Sequence, residues 1–168
     1  VLGIAPDLVV RMVYPFAPNT KVLGLDYMTN ESQREPVLRA RDSGRLVFAG
    51  PVDLVQGGRG FVGRFPVFVT GADGEKTFWG VVSSVFDEAS VYRLAGLTGG
   101  RSSIDIALTG RNGNGDGNDV FYGDPNLLSE DPVVTVVNVP SGHWQLSARP
   151  KGGWKAMAGS QLSNRLLM

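Results

Sequence analysis

Residues 25–51 constrain this chain more than any other stretch, because they set a helix between two strands and punctuate every boundary. Leu25-Asp26 ends an apolar run on an acidic residue. Asn30 with Gln33 three positions on fits a capping box, which satisfies orphan amide donors at a helix start. The helix then exits through Arg39-Ala40-Arg41-Asp42-Ser43-Gly44, with glycine where a left-handed stop is needed. Leu46-Val47-Phe48 begins a strand that runs into Gly50-Pro51. Pro36 lacks the backbone donor that the second turn requires, so the helix is expected either to begin near Glu35 or to kink there.

On either side of this block the pattern is mostly β. Residues 8–14 and 20–26 are rich in β-branched and aromatic side chains and are separated by Pro15, Pro18 and Asn19, which predicts strand, turn, strand. Residues 61–69 and 78–86 predict two further strands, joined through residues 70–74, where Asp73-Gly74 suits a hairpin turn. Asp87 is placed to cap a helix through Glu88, Val91, Leu94 and Ala95. Strand patterns return at Ile104–Thr109, at residues 120–122, at Val133–Val139 and at residues 144–148. Ile104, Ile106 and Leu108 alternate with Asp105, Ala107 and Thr109, the signature of one buried and one wet face. The expected class is α+β: an antiparallel sheet flanked by helices, with one helix inserted between its second and third strands.

Composition bounds the function. A chain of 168 residues is one ordinary domain, or one with a small annex. With 42% hydrophobic residues and no apolar run of membrane length, it is expected to form a core and to be soluble. Sixteen basic residues balance sixteen acidic ones and are scattered, which argues against a nucleic-acid partner. The absence of cysteine excludes disulfides and thiol-held metals without choosing a compartment. Since the chain starts at Val1, with neither an initiator Met nor a signal peptide, we read it as an excised piece of a longer protein.

The order and wording of residues 25–51 resemble the CHASE family of extracytoplasmic sensor domains, whose plant members form the cytokinin-binding portions of receptor kinases. The resemblance continues through Asp53-Leu54-Val55-Gln56-Gly57-Gly58, Gly60-Phe61-Val62-Gly63-Arg64-Phe65-Pro66-Val67-Phe68 and Phe78-Trp79-Gly80-Val81-Val82-Ser83. It implies a PAS-like sheet whose concave face holds a ligand, over residues 1–150, preceded by a stalk helix that this sequence does not include. Residues 151–168 are then a membrane-proximal exit, where Lys151-Gly152-Gly153-Trp154 puts an aromatic side chain at an interface. It further implies a periplasmic or extracellular domain of a membrane-anchored homodimer, feeding a histidine kinase or a diguanylate cyclase, with the bacterial members closer in style than the plant ones.

Three groups of residues are candidates for chemistry. His143 is the single histidine, and no Gly-x-Ser-x-Gly turn presents a serine to it, so a hydrolase is the weakest reading and no catalytic residue or cofactor is expected. Asn112-Gly113-Asn114-Gly115-Asp116-Gly117-Asn118-Asp119 resembles a calcium loop, but the closing position is Gly123 rather than a bidentate carboxylate, and a glycine-rich turn accounts for the run equally well. The resemblance supplies the third group. Asp26 falls where plant members place the aspartate that binds the ligand's heterocycle, Phe48 where a backbone contact is made, and Arg64 on the cavity-lining strand. A buried carboxylate needs partners, which a ligand bearing N–H groups provides. The alternatives are an internal ion pair between Asp26 and Arg64, or an Asp26 that only caps the following helix. A charged Arg64 and a bulky Phe48 argue against cytokinin itself and for a smaller polar ligand: an amino acid, a carboxylate or a purine-like molecule.

Overall fold

The computed structural model describes residues 1–98, 103–115 and 117–156. Five antiparallel strands form the main sheet: β1 (Leu2–Pro6), β2 (Met12–Tyr14), β3 (Val47–Asp53), β4 (Arg59–Thr70) and β5 (Lys76–Asp87), in the order β2-β1-β5-β4-β3. A second sheet holds β6 (Ile104–Thr109), β7 (Val133–Val139) and β8 (Gly142–Pro150), in the order β6-β8-β7. Helix α1 (Glu31–Ser43) lies between β2 and β3 in sequence, and α2 (Glu88–Leu94) follows β5 directly. This is the α+β, PAS-like architecture the sequence predicts. Among the described residues, no helix is long and apolar enough to cross a membrane.

Strand alternation gives the main sheet two unlike faces. In register across it lie Val47, Arg64, Ser83, Gly3 and Val13, and beside them Ala49, Val62 and Val85. These point toward α1, whose buried stripe Gln33, Pro36, Val37 and Ala40 follows helical spacing. The opposite face carries Phe48 and Phe61, whose rings stack with centroids 5.6 Å apart and meet Trp144 and Phe121 of the second sheet's side. Tyr92 of α2 closes this aromatic core edge-on against Phe61.

The capped helix forms as expected at both ends. Asn30 Oδ1 accepts the Gln33 amide at 3.2 Å, and Gly44 takes the left-handed stop. Pro36 does not delay or divide it; the helix runs from Glu31 to Ser43 with the proline ring buried. The carbonyl that loses its i+4 donor at Pro36 belongs to Ser32, which lies on the exposed side of the helix, where the loss is least costly. Asp87 caps α2 by accepting the Ser90 amide at 2.8 Å, and hydrogen bonding from the Ser90 hydroxyl, then from that amide, holds its carboxyl below its ordinary value.

The first expected strand pair is different in the structure. Asp7 and Leu8 both take positive φ in a turn closed by the Val9 amide on the Pro6 carbonyl, so residues 8–11 leave the ladder and only Met12–Tyr14 pairs with β1. Residues 20–26 are not a strand either. Ala17–Val22 winds into a 3-10 turn opened by Pro18, with Asn19 Nδ2 donating to the Pro15 carbonyl, and the chain rejoins residues 8–10 only through isolated bonds such as Val10 N to Leu25 O. Residues 120–122 likewise make one bridge, Leu108 to Tyr122, rather than a strand.

Candidate functional site: a buried arginine behind an apolar crevice

Arg64 is fully enclosed, at 0% exposure, in the middle of β4. Its Nη2 donates to Gln33 Oε1 at 2.9 Å, and its guanidinium carbon stands 5.6 Å from the centre of the Tyr27 ring. Nε and Nη1 have no hydrogen-bond partner. Among the described residues no carboxylate makes an ion pair with it. Burial draws the guanidinium down to about 10, so the side chain is still a cation at neutral pH. A buried charge without an ion pair is costly to the fold.

Gln33 reaches this place because of the helix cap. The capping box expected of Asn30 and Gln33 is only half made: the backbone bond forms, but the Gln33 side chain turns inward to Arg64 instead of returning to Asn30. Tyr27 is delivered from the other side by the Asp26 turn. The Asp26 carboxylate accepts the Met28 amide at 2.8 Å, and its carbonyl accepts both the amide and the hydroxyl of Thr29. With the turn so fixed, the Tyr27 ring is buried and its hydroxyl meets Ser83 Oγ at 3.1 Å, beside Arg64 on the neighbouring strand.

Tyr27, Gln33 and Ser83 are also the polar end of a crevice between the sheet and the covering loops. Its remaining walls are mostly apolar, from Val62, Val85 and Gly3 of the sheet, Val22 and Leu25 near the 3-10 turn and Leu54 and Val55 of the β3–β4 turn, with Gln56 and Val1 also in the lining. The free space is about 30 Å³, enough for a water molecule or two. No charged side chain lines it; Arg64 is not part of the lining and lies behind Gln33 at the polar end.

The three positions singled out from the sequence are thus distributed. Arg64 lies at the crevice. Asp26 lies beside it in sequence, between the lining residues Leu25 and Tyr27, with its carboxylate engaged in the turn rather than with Arg64. Phe48 sits on the opposite face with its ring in the aromatic core, and its backbone N–H and C=O both meet Ser141 Oγ, at 3.0 and 3.3 Å. Gln33, Tyr27 and Ser83 were not singled out. The Gln33 side chain was hidden behind its cap role, and a lone Tyr or Ser carries no spacing signal.

The other sequence candidates are used in holding elements together. Asn112 Oδ1 accepts the Gly50 amide at 2.7 Å, while Arg39 of the helix exit donates to the Asn112 carbonyl and to Asn114 Oδ1. Asp119 pairs with Arg111 at 2.7 Å, and Asp116 lies outside the described residues. Gly50 is held at φ 118° in the bulge of β3, where a Cβ would meet the Gly60 carbonyl at 2.7 Å. The His143 ring packs on Gly115, leaving no space there for a side chain. Trp154 anchors the exit segment by donating to the Asp131 carbonyl at 2.9 Å, and residues 157–168 are outside the described residues.

A sheet with one face committed to an aromatic core and the other to a small, polar-ended crevice under a capped helix defines a PAS-like ligand-sensing class of domain. The CHASE domain family model matches residues 5–122, well over half of the sequence, and the chain belongs to the CHASE-domain family of extracytoplasmic sensor domains. Among solved structures it is similar to an extracellular ligand binding receptor from Desulfohalobium retbaense DSM5692, with a TM-score of 0.60 and 15% identity over 88% of this chain. The match spans 29% of that receptor's length and shows the shared fold. A search of curated proteins finds no match.

Proposed function

We propose that this chain is the non-catalytic sensor segment of a membrane-anchored receptor, on the periplasmic or extracellular side, which binds a small polar molecule and passes the signal as a homodimer to a histidine kinase or a diguanylate cyclase. Residues 1–150 act as the sensor and residues 151–168 as the exit toward the membrane. The observation that carries the reading is Arg64: a buried cation with no ion pair among the described residues, bonded to Gln33, which lines a small crevice together with Tyr27 and Ser83. In this reading Arg64 contacts the ligand, Asp26 holds the turn that aims Tyr27, and Phe48 keeps β3 seated on the second sheet.

Binding shifts signalling only through differential affinity for two arrangements of the domain. The crevice, closed to the size of water, is the unliganded arrangement, and the β3–β4 turn with its two consecutive positive-φ glycines, Gly57 and Gly58, is the wall that parts. A thermal-shift screen of the chain against amino acids, carboxylates and purines tests the reading. A ligand at a hundred times its dissociation constant adds about 2.7 kcal/mol. The small size of the crevice favours one rival, a module that dimerises the receptor without a ligand. That rival predicts no shift in the screen and a cross-linked dimer of the full-length receptor all the same.

A further inference from the structure

Resting on that reading, we propose that the crevice takes a short aliphatic monocarboxylate, with the carboxylate on Arg64 and the alkyl tail between Val62, Val85 and Leu54. Three features select this chemistry. The Nε and Nη1 atoms of Arg64 carry three N–H donors with nothing to receive them, and guanidinium is the side chain best matched to a carboxylate. Neutral donors stand around the same point: Gln33 spends its oxygen on Arg64, which leaves its amide nitrogen, and between Tyr27 and Ser83 one hydroxyl hydrogen is surplus to their shared bond. Apart from Gln56, the other side chains of the wall are hydrocarbon, and the wall offers no carboxylate to an ammonium group.

The exclusions follow from the same features. An α-amino acid would bury its ammonium unpaired, and a neutral purine would leave the guanidinium charge uncompensated. A dianion would bring two charges to one cation. A crevice of about 30 Å³ opens more readily for a molecule of a few heavy atoms than for a bicyclic ring. Once bound, the carboxylate supplies the counter-charge that Arg64 lacks, and contacts to Gln33 on α1 and to Tyr27 on the preceding loop draw both onto the sheet.

The test measures the melting temperature of this chain with acetate, propionate and butyrate at matched ionic strength, against propionamide, propylammonium, glycine and adenine. Propionate is expected to raise it, while the neutral amide and the amine leave it unchanged. Arg64→Met is expected to abolish the shift and, in the absence of any carboxylate, to melt higher than the parent, since an unpaired buried charge has been replaced by an apolar chain. Gly3→Val narrows the crevice without touching Arg64, at a position where the nearest atom to an added Cβ is 4.0 Å away, and is expected to abolish the shift by itself. No propionate shift, an equal shift with propionamide, or a shift that survives Arg64→Met overturns the carboxylate assignment. If adenine or glycine instead gives a shift that Gly3→Val removes, the assignment falls and the sensing reading stands. A propionate shift that both variants leave intact puts binding elsewhere and overturns both.

Discussion

Arg64 shows how one side chain can oppose the stability of its own fold. Burial lowers its proton affinity from the ordinary arginine value to about 10, whereas the unfolded chain keeps the higher value. The folded state therefore binds fewer protons than the unfolded one between those two values, and stability rises with pH across that window. The excess stability expected of Arg64→Met should hold constant from neutral pH to about pH 9 and shrink above about pH 10. Paired urea titrations of the two proteins measure this gap; a gap that widens with alkali would contradict the burial account. Asp26 makes a milder claim. Asp26→Ala removes the bond to the Met28 amide and should cost about 1 kcal/mol, whereas Asp26→Asn keeps an acceptor and most of that energy.

At the scale of elements, the sequence was most legible where a boundary is written in side-chain chemistry. Asn30, Gly44, Asp87 and the Asp73-Gly74 turn each ended or began an element where expected, because a cap or a turn needs only its own few residues. It was least legible at residues 8–26, where burial and pairing separate. Leu8 and Val10 are buried, as their apolar pattern suggests, yet a tight turn at Asp7-Leu8 takes them out of the ladder. The site was legible in part for the same reason. Arg64 was placed on its strand by the family resemblance, but Tyr27 and Ser83 come together across a separation of 56 residues, which no local pattern records. Phe48 was read for its neighbourhood rather than its face, and strand alternation puts its ring opposite Arg64. Two substitutions test the elements. Asn30→Ala should destabilise by about 1 kcal/mol through loss of the cap. Phe61→Ala, at the centre of the aromatic core, should cost about 3–5 kcal/mol; chemical denaturation reads both.

For the molecule as a whole, β4 supplies Phe61 to the aromatic core and β5 supplies Val81 to the core under α1, and the two strands pair along their length, so the two cores are expected to melt together. Tryptophan fluorescence of a Trp79→Phe, Trp154→Phe variant, which leaves Trp144 in the aromatic core as the reporter, and far-ultraviolet circular dichroism should give coincident unfolding curves. The family match ends at Tyr122, but Trp144 and Leu146, which cover Phe48, Phe61 and Phe121, lie beyond it. A chain ending at residue 122 should therefore expose those rings and bind a hydrophobic dye rather than fold; a cooperative melt from that fragment would show that β7 and β8 are dispensable. One consequence of the two-faced β4 is genetic. Successive codons along it answer to different demands: Val62 lines the crevice and Arg64 meets Gln33, while Phe61 serves the aromatic core, so under the proposed function a change of ligand is sought at the first two. Saturation mutagenesis of this strand, scored for folding alone, should return low tolerance from Gly60 to Arg64, where both faces are buried, and higher tolerance toward the exposed end at Thr70, so in the proposed receptor lineage a change in what is detected must also satisfy the packing.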